Sequence, residues 1–287
     1  MTPGRAKHMK REYTLRRKLE SLGMLGQAIT AMKSLSAHHL RTARVGLSAA
    51  RAYRDGIDQA IASAGIAQLS PGSGPPAILL LAADLGLCNG YNAGLIEAAL
   101  EQYRMLDAHA LYCVGRRPLA VVRRADVHVA RSYPAVTSIG GITRLLLTLA
   151  DDVLGDYLTG TFSSFHIVSA RFDGVGAFTA RTTAVLPVAS SRTVQVLAAT
   201  PYANAQHLAE VAVREYLYST LYELVLDALA AEHGMRLVAT QSAEEWLDTR
   251  VEDLRRQLLS ARRESSTQEV LDIAGGARQR RQRLRAA

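Results

Sequence analysis

The chain has 287 residues, of which 48% are hydrophobic and 21% charged. These values are typical of a globular protein of one or two domains, and they exclude a mini-protein and a wholly disordered chain. The net charge of +8 predicts an acidic partner surface, which could be nucleic acid, membrane or protein. Two cysteines, Cys88 and Cys113, are too few for a disulfide framework and lack zinc-ligand spacing, so a reducing compartment is expected.

The basic charge lies at the two ends of the chain. Residues 1–60 contain twelve basic and four acidic side chains, and residues 275–287 contain five arginines and no acid. The basic amino-terminal stretch lacks the uninterrupted apolar core of a signal peptide. The most apolar run, 77–83, is far shorter than the roughly 20 residues that a membrane-spanning helix needs. Neither secretion nor a membrane span is therefore expected.

A long amino-terminal helix is predicted first. No proline occurs from Thr14 to about Ser63, and apolar residues recur every three or four positions, which is typical of a helix with one apolar stripe. The cluster SPGSGPP at 70–76 contains strong helix breakers. We therefore expect the helix to stop near Gly65 and the first domain to cover residues 1–68. The predicted stripe consists of Leu15, Leu19, Leu22, Leu25, Ile29, Met32 and Leu35.

A small α/β domain, Rossmann-like in its layering, is predicted over residues 77–190. Short apolar or alternating runs indicate strands, and spacings of three and four indicate helices between them. Such alternation is typical of an α/β layer domain, although the pattern leaves the strand order open. The predicted strands are 77–83, 111–114, 127–130, 165–172 and 180–187, and the predicted helices are 93–109 and 142–158.

The third segment, residues 205–277, is predicted to be helical again. Its first apolar run, Leu217–Val238, and a second run that starts at Leu247 have coiled-coil spacing with a phase slip between them. Gly234 weakens helical continuity, and Gly275-Gly276 is the predicted stop. A basic tail, 278–287, follows it, and the sequence leaves open whether this tail is solvated or is attracted to acidic groups of a partner. The fold class is thus an antiparallel pair of long terminal helices that brackets the α/β domain. In that pair, Leu217–Val238 is expected to face Leu15–Leu35.

The usual sites of catalytic or nucleotide chemistry are missing from the sequence. There is no GxxxxGK[ST] loop for phosphates. Gly174 and Gly176 stand between two strand-like runs, so they predict a turn and not a dinucleotide site. Adjacent residues of a helix do not face each other, which argues against His38 and His39 as a metal pair. No catalytic residue, cofactor or metal is expected.

A glycine-rich segment, DLGLCNGYN at 84–92, follows the first predicted strand. Its residue types favour a strand-to-helix turn, with Asn92 capping a helix that begins near Ala93. Cys88 as a nucleophile would need a nearby base, and no histidine follows it until His109. We call this segment the signature turn; its marked positions are Asp84, Gly86, Leu87, Cys88, Gly90 and Asn92.

The signature turn resembles the D-R-G-L-C-G-G-x-N motif of the gamma subunit, the central stalk, of F-type ATP synthases. Residues 27–38 are similar to that family's K-I-T-K-A-M-x-M-V-A-A-S segment, with Met32 on its methionine. Residues 232–239 resemble S-E-x-x-A-R-M-V-A-M, with Arg236 on its arginine. Residues 261–277 resemble A-R-Q-A-x-I-T-Q-E-L-x-E-I-V-x-G-A. The matching positions in this last segment are Arg262, Thr267, Gln268 and Glu269.

Three positions depart from the family's motifs. Leu85 stands where the signature has arginine, Asn89 where it has glycine, and Arg263 where the last motif has glutamine. The residues from Arg278 onward also run past the usual end of the family. These departures favour a divergent branch, for which the alternate, N-type F-ATPases of some bacteria are the candidate.

The resemblance implies a rotor shaft. It implies a helical pair inside a hexamer of alpha and beta subunits and an α/β foot on the membrane c-ring, with the epsilon subunit as a further partner. It also implies a peripheral position on the cytoplasmic face of a bacterial inner membrane and no catalytic role. The expected partner contacts are Met32, Arg236, Arg262, Thr267, Gln268 and Glu269.

Two other classes of function fit parts of the sequence. A basic nucleic-acid-binding protein with an α/β core would explain the charge, but residues 275–287 contain no aromatic side chain on which a base could stack. A small α/β enzyme would explain the middle domain, but no catalytic constellation can be assembled there.

Overall fold

The computed structural model describes residues 3–63, 73–125, 127–188 and 205–286. Within these ranges the chain forms two very long helices with a small α/β domain between them, as the sequence predicted. A short 3₁₀ turn, Ile139–Gly141, precedes α4. The elements are α1 (Pro3–Ser63), β1 (Ala77–Leu81), α2 (Tyr91–Met105), β2 (Ala110–Val114), α3 (Arg116–Val122), β3 (Val129–Tyr133), α4 (Ile142–Leu158), β4 (Phe165–Gly174), β5 (Ala177–Leu186) and α5 (Ala205–Ala286).

The chain divides into two compact units. The paired-helix unit contains residues 1–32 and 240–287, and the sheet unit contains residues 33–239. Helices α1 and α5 each contribute to both units. No helix among the described residues carries an apolar stretch long enough to cross a bilayer.

The sheet has the strand order β3-β2-β1-β4-β5. The pairs from β3 to β4 are parallel, and β5 pairs antiparallel with β4. All five residues of the central strand β1 are buried, because both faces of the sheet are covered, and this explains its unbroken apolar run. Leu79 packs in the same core as α4, whereas Ile78 points into a second core that contains Leu95 of α2.

Within the sheet unit, helix α5 is enclosed far more than one apolar stripe predicts. Every residue from Val225 to Arg236 is buried. Leu221 and Leu226 belong to the same core as Leu47 of α1 and Leu79 of β1. The helix is thus covered by α1 and by the α/β domain, so apolar residues are required around most of its circumference.

The pairing of α1 with α5 differs from the predicted one. In the sheet unit, Arg51 of α1 lies 3.2 Å from Glu223 of α5, so the Leu217–Val238 run faces the second half of α1. In the paired-helix unit, Leu15 packs with Leu254 and Ala261. The prediction that Leu217–Val238 faces Leu15–Leu35 was wrong, because apolar stripes of similar spacing fit together in many registers.

The apolar stripe of α1 also follows a slightly different line. Leu15 and Ile29 are buried as predicted, but Leu25 is 47% exposed and Leu35 is 56% exposed. Ser36 is buried instead. A small side chain at the seam lets two helices approach closely, so the seam does not have to follow the largest apolar residues.

Gly234 is accommodated in α5 by a close contact with the β4–β5 hairpin. A Cβ atom added to Gly234 would lie 3.2 Å from Phe172 Cε2 and 3.5 Å from the Gly174 carbonyl oxygen. Gly176, at the hairpin tip, has φ 82° and lies against Val238. Gly234 therefore permits the hairpin to pack directly on the helix, which offsets its low helix propensity.

The predicted end of α5 at Gly275-Gly276 was also wrong, because the helix continues to Ala286. Each helical glycine costs about 1 kcal/mol relative to alanine, but the residues that follow are mostly alanine, arginine, glutamine and leucine, which favour helix. The predicted stop of the first helix near Gly65 lies outside the described residues. Helix α1 begins at Pro3.

The smaller elements differ from prediction mainly at their ends. Helix α4 has the predicted bounds, whereas α2 begins two residues earlier than expected and ends at Met105. Strand β3 lies at Val129–Tyr133, shifted toward the proline that follows it. Helix α3, with seven residues, was missed because so short a helix shows little periodicity.

Candidate functional site

The signature turn connects β1 to α2 through a tightly folded backbone. Leu87 and Asn89 adopt positive φ values of 55° and 43°. Cys88 is buried, and its Sγ lies 3.7 Å from the Leu85 carbonyl oxygen. Burial raises the pKa of the Cys88 thiol, so the protonated form is favoured, and this form is a poor nucleophile. The local geometry is that of a structural turn.

Asp84 and Asn92 hold the two ends of this turn. The Asp84 carboxylate accepts a hydrogen bond from the Arg116 backbone N–H at 2.5 Å, and its second oxygen lies 3.3 Å from Arg116 Nε. The Asn92 side chain bonds the backbone N–H and carbonyl of Ala83, at 2.9 and 3.1 Å. The predicted capping role of Asn92 was wrong: helix α2 begins at Tyr91, and the amide pairs with the end of β1 as a neighbouring strand would.

Arg236 reaches the signature turn from helix α5. Its Nε donates to the Gly86 carbonyl oxygen at 3.1 Å, and its Nη2 donates to Glu232 Oε1 at 2.5 Å. The Arg236 residue is only 1% exposed. Burial is the largest influence on Glu232 and raises the pKa of its carboxyl group, while Arg236 opposes this rise. Arg236, predicted as a partner contact, thus lies inside the sheet unit and joins α5 to the turn.

His233 completes this group of buried polar side chains. Its Nε2 lies 3.2 Å from the Thr137 carbonyl oxygen, and its Nδ1 lies 3.2 Å from Arg236 Nη1. A carbonyl can only accept and a guanidinium can only donate, so the neutral tautomer with its proton on Nε2 satisfies both contacts. The ring of His39, on α1, lies 4.9 Å from that of His233. Burial, Arg236 and His39 together lower the pKa of His233 to about 4.

This lowered pKa predicts that the stability of the fold depends on pH. An unfolded histidine titrates near 6.5, so below that pH the unfolded chain takes up a proton that the folded chain refuses. Stability is then complete above about pH 6.5 and falls as the pH approaches 4. We expect His233 to lower the free energy of unfolding by about 2 kcal/mol between pH 7.5 and pH 5, measured by urea unfolding of the full chain.

The matched variants for this measurement are His233→Gln and His109→Gln, since His109 is exposed. The His109 variant should keep the full pH dependence. The His233 variant should lose the part that His233 contributes, while burial also lowers the pKa of His39 and His166. An unchanged pH dependence in His233→Gln would contradict the assignment.

A second set of predicted residues lies on α5 in the paired-helix unit. Arg262 Nε donates to Glu12 Oε1 of α1 at 3.1 Å. Glu12 also accepts from Arg16 at 2.6 Å, and the hydrogen bonds from Arg16 and Arg262 lower the pKa of its carboxyl group. The Thr267 hydroxyl donates to the Arg263 carbonyl oxygen at 2.9 Å. Gln268 and Met32 are half-buried, and Glu269 is exposed.

The structure therefore brings the predicted residues together in two groups. Arg236 and the signature turn meet in the sheet unit. Arg262, Thr267, Gln268 and Glu269 lie within about two turns of α5 in the paired-helix unit. Among the described residues, no group of three or more histidine, cysteine, aspartate and glutamate side chains could hold a metal ion. His39 instead packs edge-on against His38 and beside His233.

One polar network in the sheet unit was missed by the sequence analysis. Arg51 contacts Glu223 and Asp227 of α5 at 3.2 and 3.3 Å, and Arg54 lies 2.7 Å from Glu223. Asp227 also accepts from the Phe172 backbone N–H at 3.0 Å, so the network links α1, α5 and β4. The available signal was two acids one turn apart inside an apolar run, which requires basic partners on the opposite helix.

Comparison with known proteins decides the family. A family model described as ATP synthase matches residues 12–279. The ATP synthase gamma chain of Moorella thermoacetica is 28% identical over 276 residues, which cover 92% of this chain and 96% of that protein. The gamma chain of Desulforamulus reducens is 27% identical with the same coverage of both chains. This chain belongs to the ATP synthase gamma-chain family.

Solved structures show the same fold. A chain of the Euglena gracilis mitochondrial ATP synthase, determined as OSCP, F1 and c-ring, superposes with a TM-score of 0.66 at 13% identity, covering 93% of this chain and 94% of that chain. A chain of the rotor of the same synthase gives a TM-score of 0.63 at 13% identity, covering 89% of this chain and 98% of that one.

The departures from the gamma-chain motifs are compatible with this fold. Asn89 has φ 43°, a conformation that asparagine tolerates better than most side chains, so it can replace the family's glycine. Leu85 and Arg263 are exposed, and neither substitution disturbs a buried contact.

Proposed function

We propose that this chain is the central rotor shaft of an F-type ATP synthase, which couples ion flow through a membrane c-ring to ATP synthesis or hydrolysis in an alpha/beta hexamer. Membership of the gamma-chain family over nearly the whole chain carries this proposal. The nucleic-acid alternative, which rested on the basic charge, finds no support in that match. The divergent N-type branch is part of the proposal and rests on the substitutions at 85, 89 and 263.

A shaft that turns past three successive partners must be stiff, and two features of the helices support that role. The α1–α5 pair of the paired-helix unit is held by a core around Leu15 and by the ion pairs of Glu12 and Arg11 with α5. Contacts that the exposed charges of this unit make with partner subunits would be weak, because exposed ion pairs are screened by water and salt. Weak contacts suit a shaft that must leave each partner in turn, because tight binding at one angle would stop rotation.

We further propose that the chain supplies no catalytic residue. In doubly wound sheets a ligand binds outside the carboxyl ends of the strands, where the connections from neighbouring strands diverge. Here the connections diverge between β1 and β4. Helix α5 covers that edge, since Asp227 accepts a hydrogen bond from the Phe172 N–H of β4 and Arg236 donates to the Gly86 carbonyl after β1. It also covers the neighbouring ends of β1 and β2. A cavity of about 10 Å³ remains there, lined among others by Ala82, Val114 and Leu229, which holds no more than a single water molecule. The edge of the sheet where a ligand would bind is thus used to hold helix α5.

Partners and location follow from the same proposal. The chain would contact alpha and beta subunits along the paired-helix unit, and the c-ring and the epsilon subunit through the sheet unit. It would lie as a peripheral subunit on the cytoplasmic face of a bacterial inner membrane. Purification of the tagged full chain from its host tests this directly. An ATP-hydrolysing complex with alpha and beta subunits should co-purify, and recovery of the chain without them would overturn the proposal.

The residues expected to meet the catalytic subunits give a sharper prediction. Replacing Arg262 and Glu269 together with alanine should lower ATP turnover, or its coupling to ion movement, about tenfold, because charge-assisted hydrogen bonds are the strong kind available there. Glu12 keeps its contact with Arg16, so the helix pair should remain folded. ATP hydrolysis and ion pumping of the assembled complex are the measurements.

The matched control replaces Glu252 and Arg255, which are exposed charges of the same two signs on the same helix. We expect this control to behave as the parent protein. Equal turnover and coupling in the Arg262/Glu269 variant and the parent would show that these positions are not partner contacts.

A further inference from the structure

An open groove of about 470 Å³ lies between α1 and α5 in the paired-helix unit. The two helices run antiparallel there, since Thr30 donates a hydrogen bond to Glu244 at 2.9 Å and Arg11 lies 3.2 Å from Glu264. Sites for small molecules usually have volumes of about 300–1,000 Å³. The groove is therefore large enough to hold a small ligand.

Each helix lines this groove with residues that are one turn apart. Tyr13 and Arg17 line it from α1, and Trp246, Arg250 and Leu254 line it from α5. Residues four apart share one face of a helix. Leu254 is buried and belongs to the apolar core of this unit. The groove thus has an apolar floor, and its aromatic and basic side chains lie above that floor.

Three cationic side chains in the lining have no anionic partner. Arg17, Lys18 and Arg250 are all exposed, and in the part of the chain that the structure describes none of them forms an ion pair. The neighbouring Arg16, by contrast, is paired with Glu12 at 2.6 Å. No acidic residue lines the groove. Its positive charge is therefore uncompensated, and this favours an anionic ligand.

Two exposed aromatic rings also line the groove. Tyr13 is 66% exposed and Trp246 is 60% exposed, and Trp246 is the single tryptophan of the chain. Large aromatic side chains are mostly buried in folded proteins. A ring that stands in water beside a groove is available to stack on a planar ligand. Arg250 follows Trp246 by one turn, so a stacking surface and a cation lie next to each other.

We infer that this groove binds a nucleoside triphosphate, with its base stacked on Trp246 and its phosphates held by the three cations. Guanidinium groups bind phosphate oxygens in a two-pronged geometry, and the lysine ammonium binds them as a point charge. Stacking on an aromatic ring accepts every base, so the site should not distinguish adenine from guanine. This inference goes beyond the proposed function, because this chain alone forms the site.

Other anions match the groove less completely. An acidic peptide or inorganic polyphosphate would pair with the cations but would leave Trp246 without a planar partner. Single-stranded nucleic acid has both phosphates and bases, but its sites extend over several nucleotides, about 4–16 in one common fold. The volume of this groove is that of a site for one small molecule.

The fluorescence of Trp246 makes binding measurable in the purified full chain. A base stacked on this tryptophan should quench its emission. We expect saturable quenching by ATP and by GTP at low salt, with dissociation constants of about 0.1–1 mM, because exposed charges attract weakly. Adenosine lacks the phosphates and tripolyphosphate lacks the base. Each should therefore bind about tenfold more weakly than ATP, measured for tripolyphosphate by its competition with ATP.

Two double variants test whether the groove cations hold the phosphates. Arg17→Gln with Arg250→Gln should weaken ATP binding about tenfold. The matched control is Arg255→Gln with Arg263→Gln, which removes two exposed arginines that do not line the groove. The control should bind ATP within about twofold of the parent. All four positions are exposed, so circular dichroism should show equal helix content.

Two further variants test the stacking on Trp246, with calorimetry in place of fluorescence. Trp246→Leu should weaken ATP binding about tenfold, because stacking on an aromatic ring is lost. Trp246→Phe keeps an aromatic ring and should bind ATP within about threefold of the parent. A leucine variant that binds as well as the parent would contradict the stacking.

Several results would overturn the inference. Absence of saturable quenching at ATP concentrations up to about 10 mM would do so. Equal affinities for ATP and tripolyphosphate would show that the base makes no contact. An equal loss of affinity in the two double variants would indicate attraction to the overall charge and not a site. Tighter binding of an acidic peptide or an oligonucleotide than of ATP would assign the groove to that ligand. The proposed function fails separately, by the absence of alpha and beta subunits from the purified complex.

Discussion

Replacing Arg236 with alanine is expected to lower the free energy of unfolding by about 3–5 kcal/mol, the usual cost of breaking a buried ion pair on one side. The variant removes the hydrogen bond to the Gly86 carbonyl and leaves the Glu232 carboxyl group in a buried site without its cation. Both losses act at the joint between α5 and the signature turn. Urea unfolding of the full chain measures the effect.

A thiol-reactive reagent shows which part of the structure is destabilised in Arg236→Ala. Cys88 lies in the signature turn and Cys113 in β2, and both are buried. If Arg236 holds the turn in place, Cys88 should react faster in Arg236→Ala than in the parent, while Cys113 stays protected.

Two further variants serve as controls. Arg263→Ala removes an exposed arginine from the same helix and should cost less than about 0.5 kcal/mol. Adding Glu232→Gln to Arg236→Ala should restore part of the stability, because it removes the stranded buried charge. A double variant less stable than the single one, or a single variant that loses under 1 kcal/mol, would contradict the ion-pair assignment.

Replacing Leu221 with aspartate should have an effect of similar size. Leu221 is fully buried in the core that α5 shares with α1 and the sheet. A carboxylate there would have neither water nor a basic partner of its own, which costs several kcal/mol. We expect loss of the folded sheet unit at ordinary temperature and a sharp fall in the yield of assembled complex.

The control for Leu221 is Leu259→Asp on the same helix, because Leu259 is 53% exposed. The control should assemble and couple as the parent does. Normal complex yield and coupling in Leu221→Asp would show that α5 is not enclosed at this point, and the packing described for the sheet unit would then be wrong.

Much of the fold could be predicted from local patterns. The apolar period of α1 and α5, the short apolar run of β1 and the bounds of α4 each depend on residues close in sequence. The glycine-rich turn after β1 was evident from residue types alone. Helix continuity through Gly275 and Gly276 was misjudged because helix propensity is a weak signal, about 1 kcal/mol per glycine, which the residues around it can overcome.

In the candidate site, too, local patterns identified the motifs but not the contacts between them. The sequence placed Arg236 and the signature turn in separate motifs, and their contact spans 150 positions. Arg236 is buried because its face of α5 packs against the sheet unit. Local sequence patterns do not predict which face of the helix makes that contact. For the same reason the Glu223 and Asp227 network with Arg51 was not foreseen.

Residue order alone thus determined that this protein has two long helices around a small α/β domain, since each such element is stabilised by periodic apolar residues within its own segment. It also carried the motifs of the gamma-chain family. Only the tertiary structure decided the strand order β3-β2-β1-β4-β5, the register of α1 against α5 and the burial of Arg236. These features depend on contacts between distant residues, where many arrangements satisfy the same local pattern and the packing of the whole selects one.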